Sequence, residues 1–164
     1  YPVDQAICKL YTPVIASVYA RLKSFYKTSA DLGIEVNEDY LVEGLFRDIP
    51  NAQKATATVL DMKDRPTCII YPDDFSAIGG INEIKARGLR IPEDISIAGY
   101  DGINIATRLE PQLTTIRQDT RMIGRVAAEN LINLIEKPKS ALIEHVLVEG
   151  NLVRGRSIGR VDSK

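Results

Sequence analysis

The sequence predicts an α/β protein with a mostly parallel sheet and helices on both faces. Two of its segments, Thr67-Cys68-Ile69-Ile70-Tyr71 and Ile95-Ser96-Ile97-Ala98-Gly99-Tyr100, are continuous apolar runs containing β-branched residues, the pattern of strands covered on both sides. Each run ends in an acidic turn, Pro72-Asp73-Asp74 after the first and Asp101-Gly102 after the second. Helical segments alternate with them, and the repeated order of strand, acidic turn and helix is that of a parallel sheet.

Taken in order, Val14, Val18, Leu22, Phe25 and Ala30 fall at near-helical spacing between Thr12 and Leu32. Thr12-Pro13 makes a natural helix start and Gly33 a natural C-cap. Tyr40-Leu41-Val42 is a short strand candidate, followed by a helix from about Ile49 to Leu60 whose Asn51, Ala52, Ala55 and Ala57 favour close packing. Asp64-Arg65-Pro66 closes that unit. Between the two apolar runs lies a helix from Phe75 to Arg87, stopped by Gly88 and the loop Leu89 to Asp94. Thr114-Thr115-Ile116 reads as a short strand, and Arg121 to Ile135 as an amphipathic helix with Met122, Ile123, Val126, Leu131, Leu134 and Ile135 on its apolar side. Lys137-Pro138-Lys139 ends it; Val146-Leu147-Val148 and Asn151-Leu152-Val153 are the last strands, before a polar tail from Arg154 expected to fray.

At 164 residues, 45% of them hydrophobic and 26% charged, the chain can bury one sizeable core. Its 21 basic residues nearly balance its 22 acidic ones, so no basic footprint for nucleic acid or an anionic membrane is present. Cys8 and Cys68 lack metal-ligand spacing and His145 is the lone histidine, so no zinc site or other metal site is expected. Both cysteines read as small buried residues in a reducing compartment. No apolar run approaches the ~20 residues a spanning helix needs, and the first residues do not resemble a signal sequence. A start at Tyr1-Pro2-Val3-Asp4 reads as a truncation.

In open parallel sheets ligands bind beyond the carboxyl ends of the strands, which places Asp73, Asp74 and Asp101 at one rim. Asp74 reads as the N-cap of the helix beginning at Phe75. Asp73 and Asp101 are ligand candidates, with loop solvation as the plain alternative. Paired acids also admit a carbohydrate-processing enzyme using Asp73 and Asp101, but no phosphate loop, nucleophile elbow or suitably placed histidine supplies a catalytic context. No catalytic residue and no cofactor is assigned.

Ile91-Pro92-Glu93-Asp94-Ile95-Ser96-Ile97-Ala98-Gly99-Tyr100-Asp101, followed by Pro111-Gln112-Leu113-Thr114-Thr115-Ile116-Arg117-Gln118-Asp119, closely resembles the signature of the LacI/GalR (lac repressor) family of transcriptional regulators. The likeness runs from about Thr12 to Arg154, through Ala20-Arg21-Leu22, Glu43-Gly44, Arg65-Pro66-Thr67 and Ala86 to Pro92. It implies a truncated effector-binding domain of type I periplasmic-binding-protein-like fold, in which two subdomains enclose a small molecule. Residues 1–118 and 149–164 would form the carboxyl-terminal subdomain and 119–148 a segment of an incomplete amino-terminal one. The helix Arg121 to Ile135 would then lose its usual sheet partner and expose an apolar stripe.

Position by position, the resemblance puts Arg21 on an arginine that bonds effector oxygens and Asp101 on an acid that accepts effector hydroxyls. Asp73 takes a place usually held by asparagine or another polar residue, Phe46 that of an aromatic that stacks on a sugar or base, and Gln118 a crossover position near the cleft. Without the resemblance, Arg21 reads as an exposed helix arginine and Phe46 as a core aromatic. The chain departs from the pattern at Gly102, where a second acid commonly follows, and at Pro72. A dimer surface would fall on Arg47 to Ala52, Phe75 to Asn82 and Ile105 to Glu110, with Phe75, Ile78, Ile81 and Leu109 as its apolar contacts or, alternatively, as ordinary core.

The implied function is that of the ligand-sensing and dimerising part of a cytoplasmic bacterial repressor, not an enzyme. An effector, a sugar before a sugar phosphate or nucleoside, would control operator DNA affinity allosterically through an amino-terminal head absent from this chain. A periplasmic sugar-binding protein of a transporter is the main alternative; it shares the architecture but not the block from Pro111 to Asp119.

Overall fold

The computed structural model describes residues 7–11, 16–137 and 146–160. Four parallel strands form the central sheet, β1 (Ile7–Tyr11), β2 (Leu41–Glu43), β3 (Cys68–Ile70) and β4 (Ser96–Ala98), in the order β2-β1-β3-β4. β1 therefore sits between β2 and β3, paired in register Lys9 to Leu41 and Ile7 to Cys68. Sequence patterning alone did not mark β1, whose central Lys9 interrupts the apolar run.

The chain leaves β1 toward β2 on one side and returns past it to β3 and β4 on the other. Right-handed crossovers of opposite direction put α1 (Ala16–Asp31) on one face and α2 (Ile49–Leu60) and α3 (Asp74–Ala86) on the other. The expected start of the first helix, Thr12-Pro13, lies outside the described residues, as do Pro138, Lys139 and His145; so does the side chain of Cys8. At its other end α1 stops at Gly33, with the Ile34 amide donating back to the Ser29 carbonyl at 2.8 Å.

α2 spans the expected residues because local chemistry marks both ends. Asp48 caps it by accepting from the Asn51 amide at 2.8 Å, and Pro50 occupies the first turn where its missing N–H is harmless. α3 packs directly on α2, and Gly79 is the point of closest approach. A Cβ there would stand 2.4 Å from the Ile49 carbonyl oxygen, a backbone atom that cannot step aside. Between these helices and the sheet lies the core of Val59, Ile69, Ile81, Ile84, Ile95 and Ile97, with Tyr71 buried among them. The Tyr71 hydroxyl shares a 2.9 Å hydrogen bond with Thr56 Oγ1, so the buried oxygen is not left unpaired. Burial pushes the Cys68 thiol up to about 11, which leaves it un-ionised and unreactive near neutral pH.

Beyond β4 the sheet is extended by β5 (Thr115–Arg117) and β6 (Asn151–Val153), which are antiparallel to each other. β5 runs parallel to the end of β4 through single bridges, Ala98 to Thr114 and Asp101 to Arg117. Val146–Val148, expected as a strand, carries none of this pairing. The tail from Arg154 does not fray over its described length, which ends at Arg160. Ser157 is buried, its Oγ donating to the Ile97 carbonyl at 2.7 Å and accepting from the Thr114 amide at 2.8 Å. The Ile97 amide in turn donates to the Ser157 carbonyl at 2.8 Å, so the tail occupies the edge of β4 that β5 leaves open.

α4 (Thr120–Glu136) is capped by Asp119 but buries no residue. Of the stripe anticipated from its pattern, Met122, Ile123, Leu131 and Ile135 are exposed and Val126 and Leu134 half-buried; Ile132, outside that stripe, is exposed as well.

Candidate functional site

The topological switch lies between β1 and β3, whose following helices, α1 and α3, lie on opposite faces, the place where open sheets of this kind hold ligands. α1 contributes Arg21 to this rim. The β3–α3 turn contributes Pro72, Asp73 and Asp74; the segment after β4 contributes Tyr100 and Asp101; and the end of β5 leads to Gln118.

Asp101 is the centre of the arrangement. Its Oδ1 accepts from Arg21 Nη2 at 3.2 Å and from Gln118 Nε2 at 2.6 Å, and its Oδ2 accepts from Arg47 Nη2 at 3.2 Å. The Arg21 guanidinium also donates to the Pro72 carbonyl and stacks over the Tyr100 ring at 3.7 Å, a face-on cation–π contact. Side chains of Arg21 and Asp101 are 17% and 7% exposed, so this pair is largely desolvated, while Arg47 at 53% reaches out to solvent. Asp101 adopts a left-handed backbone, φ 109, which aims its side chain back across the rim. Gly102 follows at φ 68 with its α-carbon so close to Arg117 that a Cβ would lie 2.4 Å from Arg117 Cα. On this backbone position 102 therefore admits no side chain.

Three of the five expected binding residues, Arg21, Asp101 and Gln118, are joined by direct hydrogen bonds despite lying far apart in sequence. The two acids after β3 both depart from the roles expected of them: Asp73, expected at the ligand, is buried under the rim, and Asp74, expected as the helix cap, is not the cap. Asp73, not Asp74, is the α3 N-cap, its Oδ1 accepting from the Ser76 amide at 2.9 Å. Its Oδ2 takes the Ser76 hydroxyl at 2.8 Å and the Arg47 amide at 3.3 Å, so a fully buried Asp73 orients the Arg47 backbone from below. Asp74 turns inward instead, accepting from Thr115 Oγ1 at 2.6 Å and the Ile103 amide at 2.8 Å, and ties α3 to β5 and to the loop after β4. Desolvation holds the Asp74 carboxyl above its ordinary range, with the Asp101 charge adding to the rise and these hydrogen bonds opposing it.

Phe46 is half-buried and meets the cluster only through Arg47, whose guanidinium lies 5.0 Å from its ring centroid and 6.0 Å from that of Phe75. Phe75, Ile78 and Leu109 are also half-buried. Ile81, expected on a dimer surface, is 3% exposed and belongs to the core, because its side of α3 faces the sheet. Tyr100 was not singled out from sequence, and Arg47 was placed only at the edge of the expected dimer surface. Tyr100 lies beside Asp101 in the quoted block, but no local pattern marks Arg47, which reaches a partner 54 positions away. Among the described residues no group of three or more histidine, cysteine or acidic side chains could hold a metal ion.

A parallel α/β domain with a desolvated acid–arginine pair at its switch point belongs to the class that binds small polar molecules at a sheet rim. Residues 11–158 match the periplasmic binding protein-like domain, and the chain belongs to that family, as an effector-binding domain of the LacI/GalR kind. The HTH-type transcriptional repressor PurR of Aliivibrio salmonicida is 36% identical over 134 residues, covering 82% of this chain and 37% of the repressor. A LacI family transcriptional regulator from Enterococcus faecium, solved with bound ribose, superposes with a TM-score of 0.85 at 26% identity, covering 96% of this chain and 58% of that one. The lac repressor dimer bound to operator and the anti-inducer ONPF superposes at 0.83 with 27% identity, covering 94% of this chain and 52% of the repressor chain. The chain thus spans little more than a third of the repressor's length and about half that of the solved structures.

Proposed function

We propose that this chain is the ligand-sensing part of a bacterial transcriptional repressor whose operator affinity is set by a small polyhydroxylated effector, a sugar in the first instance. The observation that carries the reading is the Asp101 carboxylate, aimed over the strand ends and flanked by Arg21 and Gln118. A carboxylate so placed accepts hydrogen bonds from hydroxyls, and the neighbouring guanidinium donates to ring or hydroxyl oxygens. The ribose bound to the Enterococcus faecium regulator supports a sugar, and the names of the relatives support regulation over transport or catalysis.

On this reading residues 119–148 belong to a second subdomain that closes on the rim, and Gln118 stands at the crossover. The exposed apolar face of α4 fits that division. Effector binding favours one closure angle, a homodimer carries it to a DNA-binding head, and the coupling is limited to the difference in effector affinity between the two states. The protein works in the cytoplasm and turns nothing over.

Calorimetric titration with D-ribose, D-ribose 5-phosphate and inosine tests the reading. Saturable heat is expected for at least one. Asp101→Asn and Arg21→Ala should weaken that ligand by about 10-fold or more, the equivalent of one charge-assisted hydrogen bond. Failure of all three probes to bind would sink the sugar effector, and turnover of any of them that Asp101→Asn abolishes would turn the site into an enzyme's.

A further inference from the structure

We propose that Arg47 is a specificity residue that receives an anionic group of the effector, a phosphate or a carboxylate. The inference rests on the sugar-sensing reading above and narrows the ligand to a charged member of that class.

Arg47 and Asp101 are the non-glycine residues with left-handed backbones among those described, at φ 56 and φ 109, and their side chains are bonded to each other. Strain of this kind persists where surrounding structure enforces it, as at binding sites. Here the buried Asp73 carboxylate enforces it, holding the Arg47 amide at 3.3 Å. The backbone is thus fixed so that the guanidinium lies at the rim.

The two arginines of the site differ in how their donors are used. Arg21 is stacked over Tyr100 and bonded to Asp101 and to the Pro72 carbonyl, contacts that fix its orientation. Arg47 has one side-chain hydrogen bond, from Nη2 to Asp101. Of a guanidinium's five donors, the rest meet no partner among the described residues. Phe46 and Phe75 flank the group at 5.0 and 6.0 Å and limit where it can swing. A planar donor fork, half-exposed, with its backbone pinned and most of its hydrogens unused, matches bidentate recognition of a phosphate or carboxylate. A neutral sugar would leave those donors to water.

The test uses the 164-residue chain with D-ribose, D-ribose 5-phosphate, D-ribonate and inorganic phosphate. Arg47→Ala and Arg47→Lys serve as variants, each checked by thermal melt; neither introduces a β-branched residue, the kind least tolerated at this φ. The phosphate or the carboxylate sugar should bind about 10-fold tighter than D-ribose, and which of them does so identifies the anion. Arg47→Ala should erase that preference, leaving the anionic sugar no tighter than D-ribose on the same variant, and Arg47→Lys, which keeps charge but not the fork, should retain only part of it. Inorganic phosphate should shift the Arg47 Nε–Hε resonance saturably at constant ionic strength, with Arg21 unmoved.

Equal affinity for charged and neutral sugars overturns the proposal while the sugar reading stands. So does a tighter hold on D-ribose in Arg47→Ala, which would make Arg47 a plug on Asp101. A saturable phosphate shift without any sugar binding supports the anion site and sinks the sugar reading. Absence of both sinks the two together.

Discussion

α3 and α4 begin alike and end in opposite environments. Asp73 caps the first by accepting from the Ser76 amide, and Asp119 caps the second by accepting from the Met122 amide, each at 2.9 Å. Yet α3 buries seven residues and α4 none. The buried helix is the one with the less regular apolar stripe: its small residues Ser76, Ala77, Gly79 and Gly80 are enclosed because the sheet covers one side and α2 the other. A helix packed on two sides needs little amphipathy, and one with a clean stripe needs a surface to lay it on. The pattern therefore tells that a helix forms, and the layering decides whether it is buried.

The sharpest way to break this contrast is to truncate an apolar side chain in the packed helix. Ile84 is fully buried between α3 and the sheet, so Ile84→Ala should cost about 2–5 kcal/mol, read as a drop in urea midpoint at constant slope. A loss below ~1 kcal/mol would mean that the α2–α3 layer is not the rigid half of the molecule.

The same contrast explains what could be read from sequence. α2 was legible from Ile49 to Leu60 because its cap, proline and alanine spacing are local signals. The strands around Ile69 and Ile97 were legible because full burial leaves continuous apolar runs, though the ladders cover only Cys68–Ile70 and Ser96–Ala98. β1 was not, since its place in the middle of the sheet comes from neighbours 30 and more positions away. The tail misled for a related reason: Arg154 to Arg160 looks polar, and only the open edge of β4 makes Ser157 a buried ladder residue. At the site, Arg21, Asp101 and Gln118 were accessible through family resemblance. The division of labour between Asp73 and Asp74 was not, because either acid can cap a helix starting at this turn and only Thr115, 41 positions on, claims Asp74.

That claim has a pH signature of intermediate size. Because burial holds the Asp74 carboxyl above its ordinary range, the folded protein keeps a proton that the unfolded chain has released from about pH 4 upward. Stability from this group is therefore fully present below the unfolded-state value and declines as pH rises through the folded one. Asp74→Asn removes the titration and can keep an acceptor for the Ile103 amide. The urea midpoint of the variant should gain on that of the unsubstituted protein as pH rises from about 4. Parallel curves over that range would mean that the hydrogen bonds donated to Asp74 offset its desolvation in full, and would overturn the raised carboxyl.

The smallest effect belongs to α4. Leu131 and Ile135 are 58% and 70% exposed, so replacing both by lysine removes little buried surface. Helix propensity of lysine matches that of leucine and exceeds that of isoleucine. α4 has no basic residue in its last turn, so the positive charge brought by Ile135→Lys would interact favourably with the carboxyl-terminal end of the helix dipole. The double substitution Leu131→Lys, Ile135→Lys should thus leave stability within about 0.5 kcal/mol and, by breaking the apolar patch, lower any tendency of the chain to self-associate in sedimentation. A loss above ~1 kcal/mol that grows with protein concentration would show the stripe covered by a second copy in solution. The same loss at every concentration would show α4 folded back on its own chain, and the contrast with α3 would then disappear.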